Sequence, residues 1–101
     1  MAAYFIFNHK VTDTNKLNNQ YLPLSIDTFN GFDMEILVVD QNIEVIEGDT
    51  KNDRTVVLKF ESREQALGWY NSDAYQKVIH LRHESTDGTA VLCDEFDINN
   101  I

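Results

Sequence analysis

The side chains best suited to chemistry in this chain are His9, Glu47, Arg54, His80 and Arg82. Glu47 and Arg54 flank the polar stretch Gly-Asp-Thr-Lys-Asn-Asp. A carboxylate and a guanidinium so spaced can close a loop through a charge-assisted pair. They can also serve a ligand, with Arg54 anchoring a carboxylate and Glu47 acting as a base. Arg82 stands beside the apolar residues Val78, Ile79 and Leu81. There it either snorkels to solvent or lies partly buried against a carboxylate. The expected arrangement is a clamp at one end of a sheet, with Arg54 and Arg82 both around Glu47 and the acid held ionised. His9, Glu47 and His80 are the candidates for proton transfer.

The run His-Leu-Arg-His-Glu from His80 to Glu84 sets His80 and Glu84 four apart, within reach of one metal ion on a helix. Its order is not the His-Glu-x-x-His of zinc peptidases. Imidazoles near a helix C-terminus are also favoured by the macrodipole alone. No metal and no cofactor is therefore expected. Trp69, Tyr70 and Tyr75 crowd around Asn-Ser-Asp. Rings of this size build a core, a subunit interface or a ligand platform. Packing is the expected role, and ligand contact the alternative. Cys93, the single cysteine, reads as a small buried residue of a last strand. The chain holds no EF-hand loop, phosphate-binding glycine loop, Ser-His-Asp set or dinucleotide fingerprint.

A chain of 101 residues fits one domain, residues 1–101. Its formal net charge of −9 argues against nucleic-acid binding and against an anionic membrane surface. No apolar run approaches a membrane span and no leader peptide is evident, so a cytoplasmic protein is expected. One cysteine cannot form an internal disulfide, which fits a reducing compartment.

The elements that must position these residues follow from pattern. Tyr4 to Val11 reads as an aromatic strand. Asp13 or Thr14 caps a helix that places Leu17, Tyr21, Leu24 and Thr28 on one face. Pro23 should kink or divide that helix. Gly31 ends it. A strand from Met34 follows, with Ile43 to Gly48 continuing it as a bend or hairpin. Thr55 to Phe60 is the clearest strand; Val56, Leu58 and Phe60 point one way, Thr55, Val57 and Lys59 the other. Ser62 and Gln65 form a capping box for the next helix. That helix should break at Asn71 to Asp73, where Ser72 or Asp73 caps a second piece. Asp87-Gly88 reads as a turn and Thr89 onward as a final strand.

The order is β-α-β-β-α-β, a ferredoxin-like α+β fold with a four-stranded antiparallel sheet. Helices cover one face of such a sheet. A second subunit is expected on the other, giving a homodimer.

Glu47-Gly48, Arg54, Phe60, Ser62, Ala66, the pair Trp69-Tyr70, Ser72, Tyr75 and Arg82 together form a pattern that resembles the bacterial family known as domain of unknown function 1330. The opening Tyr-Phe-Ile-Phe with its later Val-Thr-Asp is similar to the start of that family. Departures are Glu61 in place of proline, Phe32 in place of a second glycine, and Asp49 in place of an aromatic. The resemblance implies a dimeric α/β barrel with a cavity beside each sheet. It implies a small-molecule ligand, for which Arg54, Trp69, Tyr70, Tyr75 and Arg82 are the candidate contacts. Related folds also suggest two alternatives: a cofactor-independent monooxygenase- or isomerase-like enzyme acting on a small aromatic or lactone-like substrate, and a purely structural or interaction protein.

Overall fold

The computed structural model describes residues 1–100. Four strands, β1 (Ala3–Val11), β2 (Met34–Asp40), β3 (Arg54–Phe60) and β4 (Thr86–Asp94), form one sheet in the order β2-β3-β1-β4. Every neighbouring pair is antiparallel. The expected ferredoxin-like α+β topology is therefore the observed one.

Strand alternation decides which face is covered. Phe5, Phe7 and His9 of β1 and Val56, Leu58 and Phe60 of β3 are buried beneath the helices. Tyr4, Ile6, Asn8, Thr55, Val57 and Lys59 take the opposite face, as period 2 requires. The outer strands β2 and β4 are largely exposed, Val38 and Val91 among their apolar residues.

The first crossover is helical from Thr14 to Asp27, in three parts: α1 (Thr14–Lys16), a π turn over Leu17–Tyr21, and α2 (Leu22–Asp27). The Asp13 carboxylate caps the start by accepting from the Lys16 N–H at 2.9 Å. The π turn answers the Pro23 problem, because Pro23 falls in the first turn of α2, where its missing N–H costs nothing. It also corrects the expected face. A π turn advances less per residue than an α turn, so the helix buries Leu17, Tyr21, Ser25 and Thr28 while Leu24 is exposed.

The second crossover has three short pieces, α3 (Arg63–Tyr70), α4 (Asp73–Gln76) and α5 (Ile79–Ser85). Ser62 caps α3, its Oγ accepting from the Gln65 N–H. Ser72 ends α3 and starts α4: its Oγ donates to the Trp69 carbonyl at 2.7 Å and accepts from the Tyr75 N–H at 3.2 Å. The predicted break is thus in place, and Lys77-Val78 adds a second one.

Three expectations about the strands need correction. Ile43 to Gly48 is an exposed loop, not strand, tied back by Ile43 N–H to the Asp53 carbonyl. Asp87-Gly88 is not a turn but lies inside β4, with Gly88 opposite His9. Its φ of 143° and the 2.1 Å gap between a Cβ there and the Asn8 carbonyl oxygen require glycine. Cys93 is exposed, because β4 is an edge strand and Cys93 pairs with Tyr4 on the uncovered face.

Candidate functional site

A cavity of about 210 Å³ lies between the covered face of the sheet and the first helical crossover. Its lining includes Leu58 and Val56 of β3, Phe7 of β1, Trp69 of α3, Ile36 and Val39 of β2, Ile26 of α2 and the following Phe29. Carbon dominates this wall. The polar groups gather at one end, where Arg54, Arg82 and Tyr21 reach the lining.

The sheet register builds that end. Arg54 opens β3 directly opposite His9, near the end of β1. His9 occupies the covered face by the same alternation that buries Phe5 and Phe7. Arg82 arrives from α5, its guanidinium carbon 5.1 Å from the centre of the Phe7 ring, a cation–π contact. Arg54 Nη1 lies 3.0 Å from His9 Nδ1, and Arg82 Nη1 lies 3.3 Å from His9 Nε2. One imidazole thus stands between two guanidiniums. His9 is 1% exposed, Arg54 2% and Arg82 6%.

This arrangement is electrostatically unusual. Burial, then the charges of Arg82 and Arg54, pushes the His9 pKa down to about 4. The ring is therefore neutral at pH 7, with one N–H and one lone pair. Two guanidinium N–H groups face it, so only one can be accepted. Among the described residues, Arg54 Nε is buried with no partner. Burial also lowers the Arg54 pKa, but guanidinium keeps its charge in proteins. The ion pairs among the described residues are Lys10–Asp53, Lys16–Glu84 and Arg63–Asp94, none of which includes Arg54 or Arg82.

A second polar chain runs beside the first. Arg82 Nε donates to Tyr75 Oη at 3.1 Å, and the hydroxyls of Tyr75 and Tyr21 are 2.7 Å apart. Burial, followed by the neighbouring Tyr75, raises the Tyr21 pKa well above 10. Tyr21 is thus a neutral phenol and no source of negative charge.

The predicted site residues divide cleanly. Arg54, Trp69 and Arg82 line the cavity, and Tyr75 supports it from behind through Tyr21 and Arg82. Tyr70 is half-buried and stacks on Phe5 with ring centres 5.7 Å apart. His9 lies behind the two arginines. His80 is exposed on α5, and Glu47 is exposed in the loop before β3. The Glu47 clamp is therefore not formed: the loop swings its carboxylate to solvent, and His9 takes the place assigned to it. Tyr21, Phe7, Ile36 and Val39 were missed as lining residues. The Tyr21 hydroxyl was the available signal, since a buried phenol needs a polar partner.

The fold, with its cavity under the helices, defines a ferredoxin-like α+β chain. The family described as "Domain of unknown function (DUF1330)" matches residues 2–96, and the chain belongs to it. A search of curated proteins finds no match. Among solved structures, a protein of unknown function from Rhodopseudomonas palustris superposes with a TM-score of 0.74 at 10% identity, covering 95% of this chain and 83% of that one. SnoaB, a cofactor-independent oxygenase from Streptomyces nogalater, gives 0.66 at 8% identity, covering 95% and 94%. An ethyl tert-butyl ether d (ethd) family protein from Bacillus halodurans gives 0.64 at 13% identity, covering 95% and 99%. At these identities the likeness is one of fold.

Proposed function

We propose that this chain is a small-molecule-binding domain whose ligand occupies the cavity between the sheet and the first helical crossover. The cavity itself carries this reading: an apolar space with polar groups converging at one end is the general form of a ligand site. An engineered cavity of roughly 150 Å³ holds benzene, so 210 Å³ admits a ring with a substituent or two. Calorimetric titration with single-ring compounds tests it. One site per chain is expected, with binding abolished by Ile36→Trp, which puts a large ring at a lining position on an exposed edge strand. Absence of binding at millimolar concentration, or binding that Ile36→Trp leaves intact, overturns the reading.

A homodimer through the open sheet face goes with this reading. Tyr4, Ile6 and Val57 are only half-buried there, and Val38 and Val91 are exposed. Sedimentation at micromolar concentration should give a dimer that Val57→Glu converts to monomer. A cytoplasmic location also goes with it, resting on the lone cysteine. No helix of the described residues is long and apolar enough to cross a membrane.

An enzymatic reading, of the kind SnoaB's description suggests, would rest on His9 as the proton-transfer group. Glu47 and His80 lie away from the cavity.

A further inference from the structure

The polar end of the cavity contains donors and almost no acceptors. Arg54 Nε has no partner among the described residues. Arg54 Nη1 and Arg82 Nη1 compete for the single lone pair of a neutral His9. Tyr75 Oη accepts from Arg82 Nε, and its contact with Tyr21 Oη uses only one of the two phenol hydrogens, with either hydroxyl able to donate. With Tyr75 as the donor, the Tyr21 hydrogen is free on a residue that lines the cavity. Two buried positive charges thus share a space with surplus N–H and O–H groups. Arg82 Nη2 also meets His83 Nε2 at 3.4 Å, but no carboxylate among the described residues pairs with either guanidinium, and a buried charge without a counter-charge is costly. The chain as a whole carries a formal charge of −9, yet no carboxylate of the described residues pairs with Arg54 or Arg82.

We propose that the ligand is a monocarboxylate with an apolar, ring-sized body, its carboxylate received by Arg54 and Arg82 with the Tyr21 hydroxyl as an additional donor and its ring against Trp69 and Leu58. This rests on the cavity being a ligand site. A carboxylate is the best match because it accepts two parallel N–H bonds from the edge of a guanidinium. The small apolar remainder of the cavity excludes bulky or multiply charged anions such as nucleotides.

The test compares benzoate with benzamide, which share a ring and differ in charge, on the full-length chain. Trp69 is the only tryptophan and lines the cavity, so its emission reports binding; calorimetry gives the constants. Benzoate is expected to bind about tenfold tighter or more, as charge-assisted bonds from buried donors imply. Tyr21→Phe, which removes one donor from the lining, should weaken benzoate severalfold more than it weakens benzamide. Arg54→Met should abolish the preference. Equal binding of benzoate and benzamide overturns the carboxylate assignment and leaves the cavity reading standing. Failure of both to bind overturns the cavity reading and the assignment together. Because the comparison is made first on the unaltered protein, it holds even if Arg54→Met fails to fold.

Discussion

The hydroxyls of Tyr21 and Tyr75 meet at 2.7 Å in the interior and join the first helical crossover to the second. Tyr75 also receives the N–H of a buried arginine. The two tyrosines are therefore not equivalent. Tyr75→Phe leaves Arg82 Nε without an acceptor and should cost about 1–3 kcal/mol. Tyr21→Phe leaves that bond intact and should cost less. Urea unfolding of the two variants measures the order, and a larger loss for Tyr21→Phe would contradict it.

Stability should depend on pH through His9. Its folded pKa is about 4, against about 6.5 unfolded. Between those values the unfolded imidazole holds a proton that the folded one has released. Stability therefore rises with pH across that window, by roughly 3 kcal/mol for this group, and is flat above it. Arg54 from β3 and Arg82 and His83 from α5 face the ring and act in the same direction. His83 is itself lowered by burial and Arg82, so His83→Gln is the control. Asp53 and Glu84, lowered chiefly by the Val11 N–H and by Lys16, lose their contributions at still lower pH. Denaturant midpoints from pH 4 to 7 should show the rise in the native chain and a much smaller one in His9→Phe.

Trp69 packs against Tyr75 with ring centres 4.1 Å apart, and its Nε1 donates to Thr28 Oγ1 at 2.9 Å. Trp69→Ala should cost about 3–5 kcal/mol. Trp69→Phe keeps most of the packing and should cost less while freeing Thr28. Chemical denaturation distinguishes the two.

Glu47→Gln should leave stability unchanged within about 0.5 kcal/mol, even in low salt, because its carboxylate is exposed and unpaired among the described residues. A loss of several kcal/mol would restore the clamp that the structure replaces with His9.

What was legible in the sequence was local. Val56, Leu58 and Phe60 alternate with Thr55, Val57 and Lys59, and period 2 needs no tertiary information. Ser62 and Ser72 sit one residue ahead of their helices, so their caps and the break between Trp69 and Tyr75 could be read directly. The polar end of the cavity could not. It needs the register of His9 against Arg54 and the approach of Arg82 from a distant helix. Charge complementarity suggested Glu47 as the partner, but loop geometry, which residue types do not encode, placed it elsewhere. Asp87-Gly88 carried a turn signature, yet the glycine serves a close approach between strands. Cys93 looked buried because strand composition does not say which strand is the edge.

The π turn has a consequence for helix register. Leu17, Tyr21, Ser25 and Thr28 point inward at steps of four, four and three. Remove the exposed Asn19 and the same four residues would fall at three, four and three, the seam of an unbroken α-helix. The roof of the cavity is thus equivalent in register to a regular helix with one extra residue in a single turn. Deleting Asn19 from this chain would be expected to straighten that roof and move the Tyr21 phenol relative to the arginines. A one-residue change of length at this point would therefore shift the Tyr21 phenol relative to Arg54 and Arg82 while leaving the sheet unchanged.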